Sequence, residues 1–158
     1  MDFKEQTACF SGHRKVPARQ QAELVLRLNN AVVKLINNGY KYFIAGGALG
    51  FDTLAAKTVL NLKTDYPDIR LILALPCQSQ TFRWSLGDIE AYETIKNAAD
   101  KVVYISDSYT KDCMYRRNRY LVDNSSVCIC YLTEEGGGTA YTVRYANKNG
   151  LLVVNLAG

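Results

Sequence analysis

The chain has 158 residues, 48% of them hydrophobic and 22% charged, with a formal net charge of +4. This is the composition of one globular domain, residues 1–158, with a full core; no repeat, low-complexity tract or linker interrupts it. The modest positive charge favours an anionic partner but falls well short of the basic stripe of a dedicated nucleic-acid binder, and no apolar stretch approaches the roughly 20 residues of a membrane span.

The N-terminal segment MDFKEQTAC carries acidic residues and no apolar signal core, so a soluble cytoplasmic protein is expected. The first apolar run, Thr7 to Phe10, reads as a strand. It leads into Ser11-Gly12-His13-Arg14, a glycine turn bearing a hydroxyl, an imidazole and a guanidinium. A helix follows over Ala18 to Asn38, with Leu24, Leu28, Val32, Leu35 and Ile36 on one face and Gly39 at its end.

A second strand, Tyr42 to Ala45, runs into Gly46-Gly47-Ala48-Leu49-Gly50-Phe51-Asp52 and then a helix to Lys63. Gly46, Gly47 and Gly50 let backbone N–H groups approach a phosphate, and the helix start adds partial positive charge. Asp52 either caps that helix or accepts hydrogen bonds from ribose hydroxyls. The pattern is GGxxG after the second strand, not GxGxxG, so NAD binding of the usual kind is not supported.

Ile69 to Leu75 forms the third strand, Phe82 to Ala98 a helix, and Lys101 to Ile105 the fourth strand. The helix Lys111 to Asn124 carries Arg116, Arg117 and Arg119. Arg119 stands four residues before Asp123, the spacing of a surface ion pair. The fifth strand, Val127 to Leu132, ends in Thr133-Glu134-Glu135 and then Gly136-Gly137-Gly138-Thr139 at the start of a helix to Asn149. Three glycines and a threonine at a helix start form a second anion cradle, with an N-capping Thr139 as the plainer alternative. Leu151 to Asn155 completes six strands.

Several strands are apolar at consecutive positions, as in LILAL and VCICYL, and so are covered on both faces. Strands alternating with helices then predict a three-layer, doubly wound, mostly parallel Rossmann-like sheet, with ligands beyond the carboxyl ends of its strands. Cys9, Cys128 and Cys130 read as buried core thiols, and Cys77 and Cys113 as nearer the surface. With one histidine and no CxxC pair, no metal site is expected. Trp84, Tyr109 and Tyr141 are candidate stacking platforms for a base.

CFSGHR, AGGALGFDTLAA, LPCQSQTFRW, RRNRYLVDNSS and GGGTAYTVRYA, in this order over nearly the whole chain, resemble the YpsA-like branch of the SLOG superfamily. The resemblance implies a Rossmann-like fold binding a nucleotide or nucleotide-derived ligand, with ADP-ribose-like molecules or signalling nucleotides suggested for this branch. It places Ser11, Gly12, His13, Arg14, Gly46, Gly47, Gly50, Asp52, Arg117, Asn118, Gly136, Gly137, Gly138, Thr139 and Thr142 around that ligand.

The LOG branch of the superfamily cleaves nucleoside monophosphates at the N-glycosidic bond, and Arg117 is similar in placement to its arginine. Here Asn118 replaces the neighbouring lysine, Glu134 and Glu135 replace a proline and glycine, and Thr142 replaces the catalytic glutamate. A threonine cannot supply that negative charge, so a binding module is the leading expectation and a nucleotide N-glycosidase the second. Single-stranded nucleic-acid binding, as in the DprA branch, ranks last because the basic residues are scattered. No obligatory cofactor is expected, and homo-oligomerisation is left open.

Overall fold

The computed structural model describes residues 3–158. A short 3-10 turn, Phe3–Gln6, precedes six strands and five α-helices: β1 (Thr7–Gly12), α1 (Ala18–Asn37), β2 (Tyr42–Ala45), α2 (Phe51–Leu62), β3 (Arg70–Leu75), α3 (Leu86–Ala98), β4 (Lys101–Tyr104), α4 (Cys113–Asp123), β5 (Val127–Tyr131), α5 (Gly137–Lys148) and β6 (Leu152–Asn155). The strands form one sheet in the order β4-β3-β2-β1-β5-β6, and every neighbouring pair is parallel. The expected three-layer Rossmann-like architecture is therefore present.

Why the strands are apolar at consecutive positions is plain from the packing. Phe10, Phe43, Leu71, Leu73 and Ile129 face one side, where they meet Leu24, Leu28 and Val32 of α1 and Phe51, Ala55 and Val59 of α2. Cys9, Ile44, Ala74, Cys128 and Cys130 face the other, against Leu121 and Val122 of α4 and Val143 and Ala146 of α5. Helices α1, α2 and α3 pack side by side on the first face, and α4 and α5 on the second.

Both glycine-terminated helices end by one device. The N–H of Gly39 bonds the carbonyl of Ile36 and that of Tyr40 the carbonyl of Leu35; Gly150 and Leu151 do the same to Asn147 and Ala146. In each the glycine has positive φ, 91° and 79°, which a side chain would resist.

The order reverses between β1 and β5. The chain steps outward from β1 to β4 and then returns to β1's other side, so β1 leads into a helix on one face and β5 into a helix on the opposite face. A crevice opens between two such diverging loops, which is where open parallel sheets place their sites.

Three expectations need correction. Helix α3 begins at Leu86, four residues later than Phe82, because Ser85 caps it by accepting the N–H of Asp88 at 3.1 Å, while the preceding residues turn with Arg83 at φ 71°. Cys77, in the loop after β3, and Cys113, at the start of α4, are not near the surface but 1% and 0% exposed. Arg119 and Asp123 do not pair. Arg119 donates to the Tyr141 hydroxyl at 2.9 Å and Asp123 accepts from the Tyr145 hydroxyl at 2.7 Å, so both are drawn across to α5.

Candidate functional site

The loop after β1 is closed down by packing. A Cβ on Gly12 would lie 2.4 Å from the Phe51 ring, so only glycine lets α2 approach here. The carbonyl of His13 then accepts the N–H of Phe51 at 3.1 Å. On the other side, His13 Nε2 accepts the Thr133 N–H at 2.9 Å, and its ring stands edge-on to Tyr131. An accepting Nε2 leaves the ring proton on Nδ1. His13 thus ties the β1 loop to the β5 loop across the crevice.

The glycines after β2 are likewise filled by the protein itself. Gly47 and Gly50 have φ of 73° and 74°; an added Cβ would lie 2.4 Å from Leu75 Cδ2 at Gly47 and 2.2 Å from the Arg14 carbonyl oxygen at Gly50. At Gly46 it would lie 2.6 Å from Arg117 Nη1 and 2.9 Å from Asp52 Oδ2. These glycines allow close approach of neighbouring chain. Gly50, not Asp52, is the N-cap of α2, and Asp52 instead pinches the loop by accepting the Ala48 N–H at 3.2 Å.

The glycines after β5 are different. A Cβ on Gly136 or Gly137 would meet nothing within 4 Å, and one on Gly138 would only touch Asn118 Nδ2 at 3.7 Å. Gly136 is the N-cap of α5, without a side-chain cap, so Thr139 lies within the first turn rather than capping it. The first amides of α5 are left without side-chain acceptors at an open surface, where partial positive charge accumulates.

From α4 come Arg117 and Asn118, 6% and 9% exposed. Arg117 Nη1 donates to the Gly46 carbonyl, its Nε donates to Asn118 Oδ1 at 2.9 Å, and Nη2 lies 3.9 Å from Met114 Sδ. Asp52, 5% exposed, approaches the same point from α2, yet the ion pairs within 4.0 Å among the described residues are Arg27–Glu23, Lys63–Asp100 and Lys96–Glu93. Asp52 and Arg117 therefore attract across a gap rather than in contact. Burial pushes the Asp52 carboxyl from 3.8 up to about 6, against the opposing pull of Arg117, the Ala48 N–H and Arg14. Burial also pushes Arg117 down, but a guanidinium remains cationic.

These groups line a cleft of about 310 Å³. The β1 loop contributes Ser11, Gly12, His13 and Arg14, α2 contributes Asp52, α4 contributes Arg117 and Asn118, and α5 contributes Gly138 and Thr139. Gly47 and Gly50 line a neighbouring hollow of about 440 Å³, together with Lys57, Trp84 and Tyr92. Four expected site residues line neither cavity. Gly46 lies behind the Arg117 guanidinium, Gly136 and Gly137 stand at the exposed lip of α5, and Thr142 is fully buried with its hydroxyl donated to the Gly138 carbonyl at 2.9 Å.

Of the candidate stacking residues, Trp84 lines the hollow, edge-on to Tyr92 at 5.4 Å. Tyr141 is packed against Tyr115 and Tyr145, and Tyr109 is 67% exposed. Met114 and Lys57 were not legible as site residues: neither belongs to a motif, and only the placement of α4 and α2 brings them in, whereas Ala48 lines both cavities from inside the glycine motif after β2.

Among the described residues no group of three or more His, Cys, Asp or Glu could hold a metal ion, and no helix is long and apolar enough to cross a membrane. The site offers a fixed cation, an open helix N-terminus and a buried carboxylate converging on one space, which suits a ligand with both an anion and hydrogen-bond donors.

Fold and cleft together define a Rossmann-like α/β protein with its crevice beyond the strand ends. The YpsA family model, described as the YspA SLOG family, matches residues 18–151, and the chain belongs to that family. It is 30% identical over 135 residues to the SPbeta prophage-derived protein YoqJ of Bacillus subtilis (strain 168), covering 77% of this chain and 79% of YoqJ. It is 28% identical over 130 residues to a UPF0398 protein of Bacillus cereus, covering 78% and 68%.

Among solved structures it is similar to DNA processing protein A from Helicobacter pylori, whose single-stranded DNA binding mode has been described. The TM-score is 0.66 at 20% identity, over 95% of this chain. The Streptococcus pneumoniae protein gives 0.65 at 16%, over 96%. The chain spans 64% and 50% of those two proteins, and at such identities the likeness is one of fold.

Proposed function

We propose that the protein binds a nucleotide or nucleotide-derived ligand, of the ADP-ribose or signalling-nucleotide kind, in the cleft between the β1, β2 and β5 loops. The observation that carries this reading is the convergence of the buried Arg117 guanidinium and the open N-terminus of α5 on one 310 Å³ space. A guanidinium offers a phosphate a bidentate fork, and helix-start amides add directed donors without side-chain entropy. Ser11, His13, Arg14, Asn118 and Thr139 supply further polar contacts around that anion. The reading calls for no metal or obligatory cofactor.

Isothermal calorimetry with ADP-ribose, NAD and common nucleotides tests it: at least one ligand gives saturable heat. Gly138→Asp places a negative charge in the cleft, where the new Cβ would meet only Asn118 at 3.7 Å. It should abolish binding without unfolding the protein, since an acidic residue in a first helical turn is favourable. Absence of heat from every ligand would contradict the proposal.

A second reading, N-glycosidic hydrolysis of a nucleotide, is favoured by one feature. Thr142 offers no carboxylate, but Asp52 lines the cleft with its carboxyl held near 6, in the range of a general acid or base. Release of free base from a nucleotide panel, lost in Arg117→Ala and Asp52→Asn, supports it; no release above buffer removes it. Single-stranded nucleic-acid binding draws on the fold likeness alone, and a salt-sensitive gel shift with oligonucleotides is its test.

A further inference from the structure

Asp52 stands where the two cavities meet. Arg14, Ala48 and Asp52 line both the 310 Å³ cleft and the 440 Å³ hollow. Asp52 Oδ2 accepts the Ala48 N–H, whereas Oδ1 is buried and has no hydrogen-bond partner. A buried carboxylate oxygen without a donor costs folding free energy, so an unused acceptor on a residue that lines both cavities calls for an explanation.

The surroundings differ on its two sides. Toward the cleft lie the Arg117 guanidinium and the α5 N-terminus, both donors to an anion. Toward the hollow lies a half-buried Trp84 braced edge-on against Tyr92, with the Lys57 side chain also in the wall. Anion donors, an acceptor of hydroxyls and an aromatic wall thus line two adjoining cavities that share Arg14, Ala48 and Asp52. That order matches the phosphate, sugar and base of a ribonucleotide, and cavities of these sizes fall in the range that holds such ligands.

We infer that Asp52 is the sugar-recognising residue: its Oδ1 accepts the ribose 2′-hydroxyl of a ribonucleotide whose phosphate lies on the Arg117 side and whose base lies against Trp84. The inference rests on the proposed nucleotide binding and adds its direction and its preference for ribose. Asp52→Asn is an informative change. The Ala48 N–H requires an acceptor, so the asparagine oxygen takes the place of Oδ2 and its NH2 group faces the sugar where Oδ1 had been. A donor then stands where an acceptor is needed.

The test uses the full chain, the four ribonucleoside 5′-monophosphates, their 2′-deoxy counterparts and ribose 5-phosphate, with calorimetry for binding and the emission of Trp84, the sole tryptophan, for occupancy of the hollow. The wild type should bind at least one ribonucleotide about tenfold or more tighter than its 2′-deoxy form, as expected for loss of a hydrogen bond to a charged group. Asp52→Asn should remove that ratio. The ribonucleotide should change Trp84 emission, and ribose 5-phosphate should give heat without changing it.

Equal affinity for the ribo and deoxy forms in the wild type, or an unchanged ratio in Asp52→Asn, overturns the assignment of Asp52. A Trp84 response to ribose 5-phosphate equal to that of the nucleotide overturns the direction. Heat from ADP-ribose with none from any monophosphate overturns this inference and leaves the broader proposal standing. No heat from any of them overturns both.

Discussion

Replacing Asp52 by asparagine removes a charge that burial opposes, and the size of the effect follows from the carboxyl itself. Its folded-state value is raised from 3.8 to about 6, chiefly by burial. Each factor of ten in proton affinity is worth about 1.4 kcal/mol, so the stabilisation that comes with the protonated form is about 3 kcal/mol. Because the folded value is the higher one, this contribution is fully present below about pH 3.8 and is lost as pH rises through about 6.

Asparagine keeps the shape and an acceptor for the Ala48 N–H but stays neutral throughout. It behaves like the protonated acid at every pH. In urea unfolding from pH 4.5 to 8, titrations shared by both proteins cancel in the difference between them. That difference should be about 1 kcal/mol at pH 4.5, grow in favour of Asp52→Asn through pH 5 and 6, and level off at about 3 kcal/mol near pH 8. With a denaturant slope of about 2 kcal/mol/M, the midpoint moves by roughly 1.5 M. A difference that does not vary with pH, or an asparagine variant less stable than wild type at pH 8, would refute the reasoning.

Other substitutions probe the two glycine turns separately. Gly50→Ala forces a side chain into φ 74° and to 2.2 Å from the Arg14 carbonyl oxygen, and should cost at least about 2 kcal/mol in urea unfolding; a loss below about 0.5 kcal/mol would mean the turn is not packed as described. Gly136→Asp meets no neighbour within 4 Å and adds a capping carboxylate to α5, so thermal unfolding should show a gain of about 0.5–1 kcal/mol, while the carboxylate competes with any anion for the same amides. All five cysteines are buried, so a thiol reagent should label none rapidly in the native protein and all five in urea; fast native labelling would contradict the burial of Cys77 and Cys113.

What could be read from the residues and what could not divide along physical lines. Runs such as VCICYL and LILAL declare strands buried on both faces, and a glycine after an amphipathic helix declares its stop, because both are local properties of the chain. The start of α3 was also written locally, in the Ser85-Leu86-Gly87-Asp88 capping pattern, but the apolar Phe82 and Trp84 just before it suggest an earlier beginning.

The rest depends on approach from elsewhere in the fold. That GGALG is special is evident in sequence. That Gly46, Gly47 and Gly50 admit the protein's own Arg117, Leu75 and Arg14, while Gly136 to Gly138 face open space, is set by which helices pack there. The Arg119–Asp123 spacing is right for a pair on one helix, yet two tyrosine hydroxyls of α5 take both ends. Asp52 shows the same limit. Its position in a helix start suggests a cap, and only the fold leaves one of its oxygens buried between two cavities without a donor.

The central claim is that the open start of α5 and the buried Arg117 share one anionic guest. Two-dimensional amide NMR during titration with the nucleotide panel tests it most directly. At least one nucleotide should shift the amides of Gly137, Gly138 and Thr139 and the Arg117 Nε–H together, with a single saturation curve. Shifts confined to other faces of the molecule, or movement of the α5 amides with no response from Arg117, would contradict it.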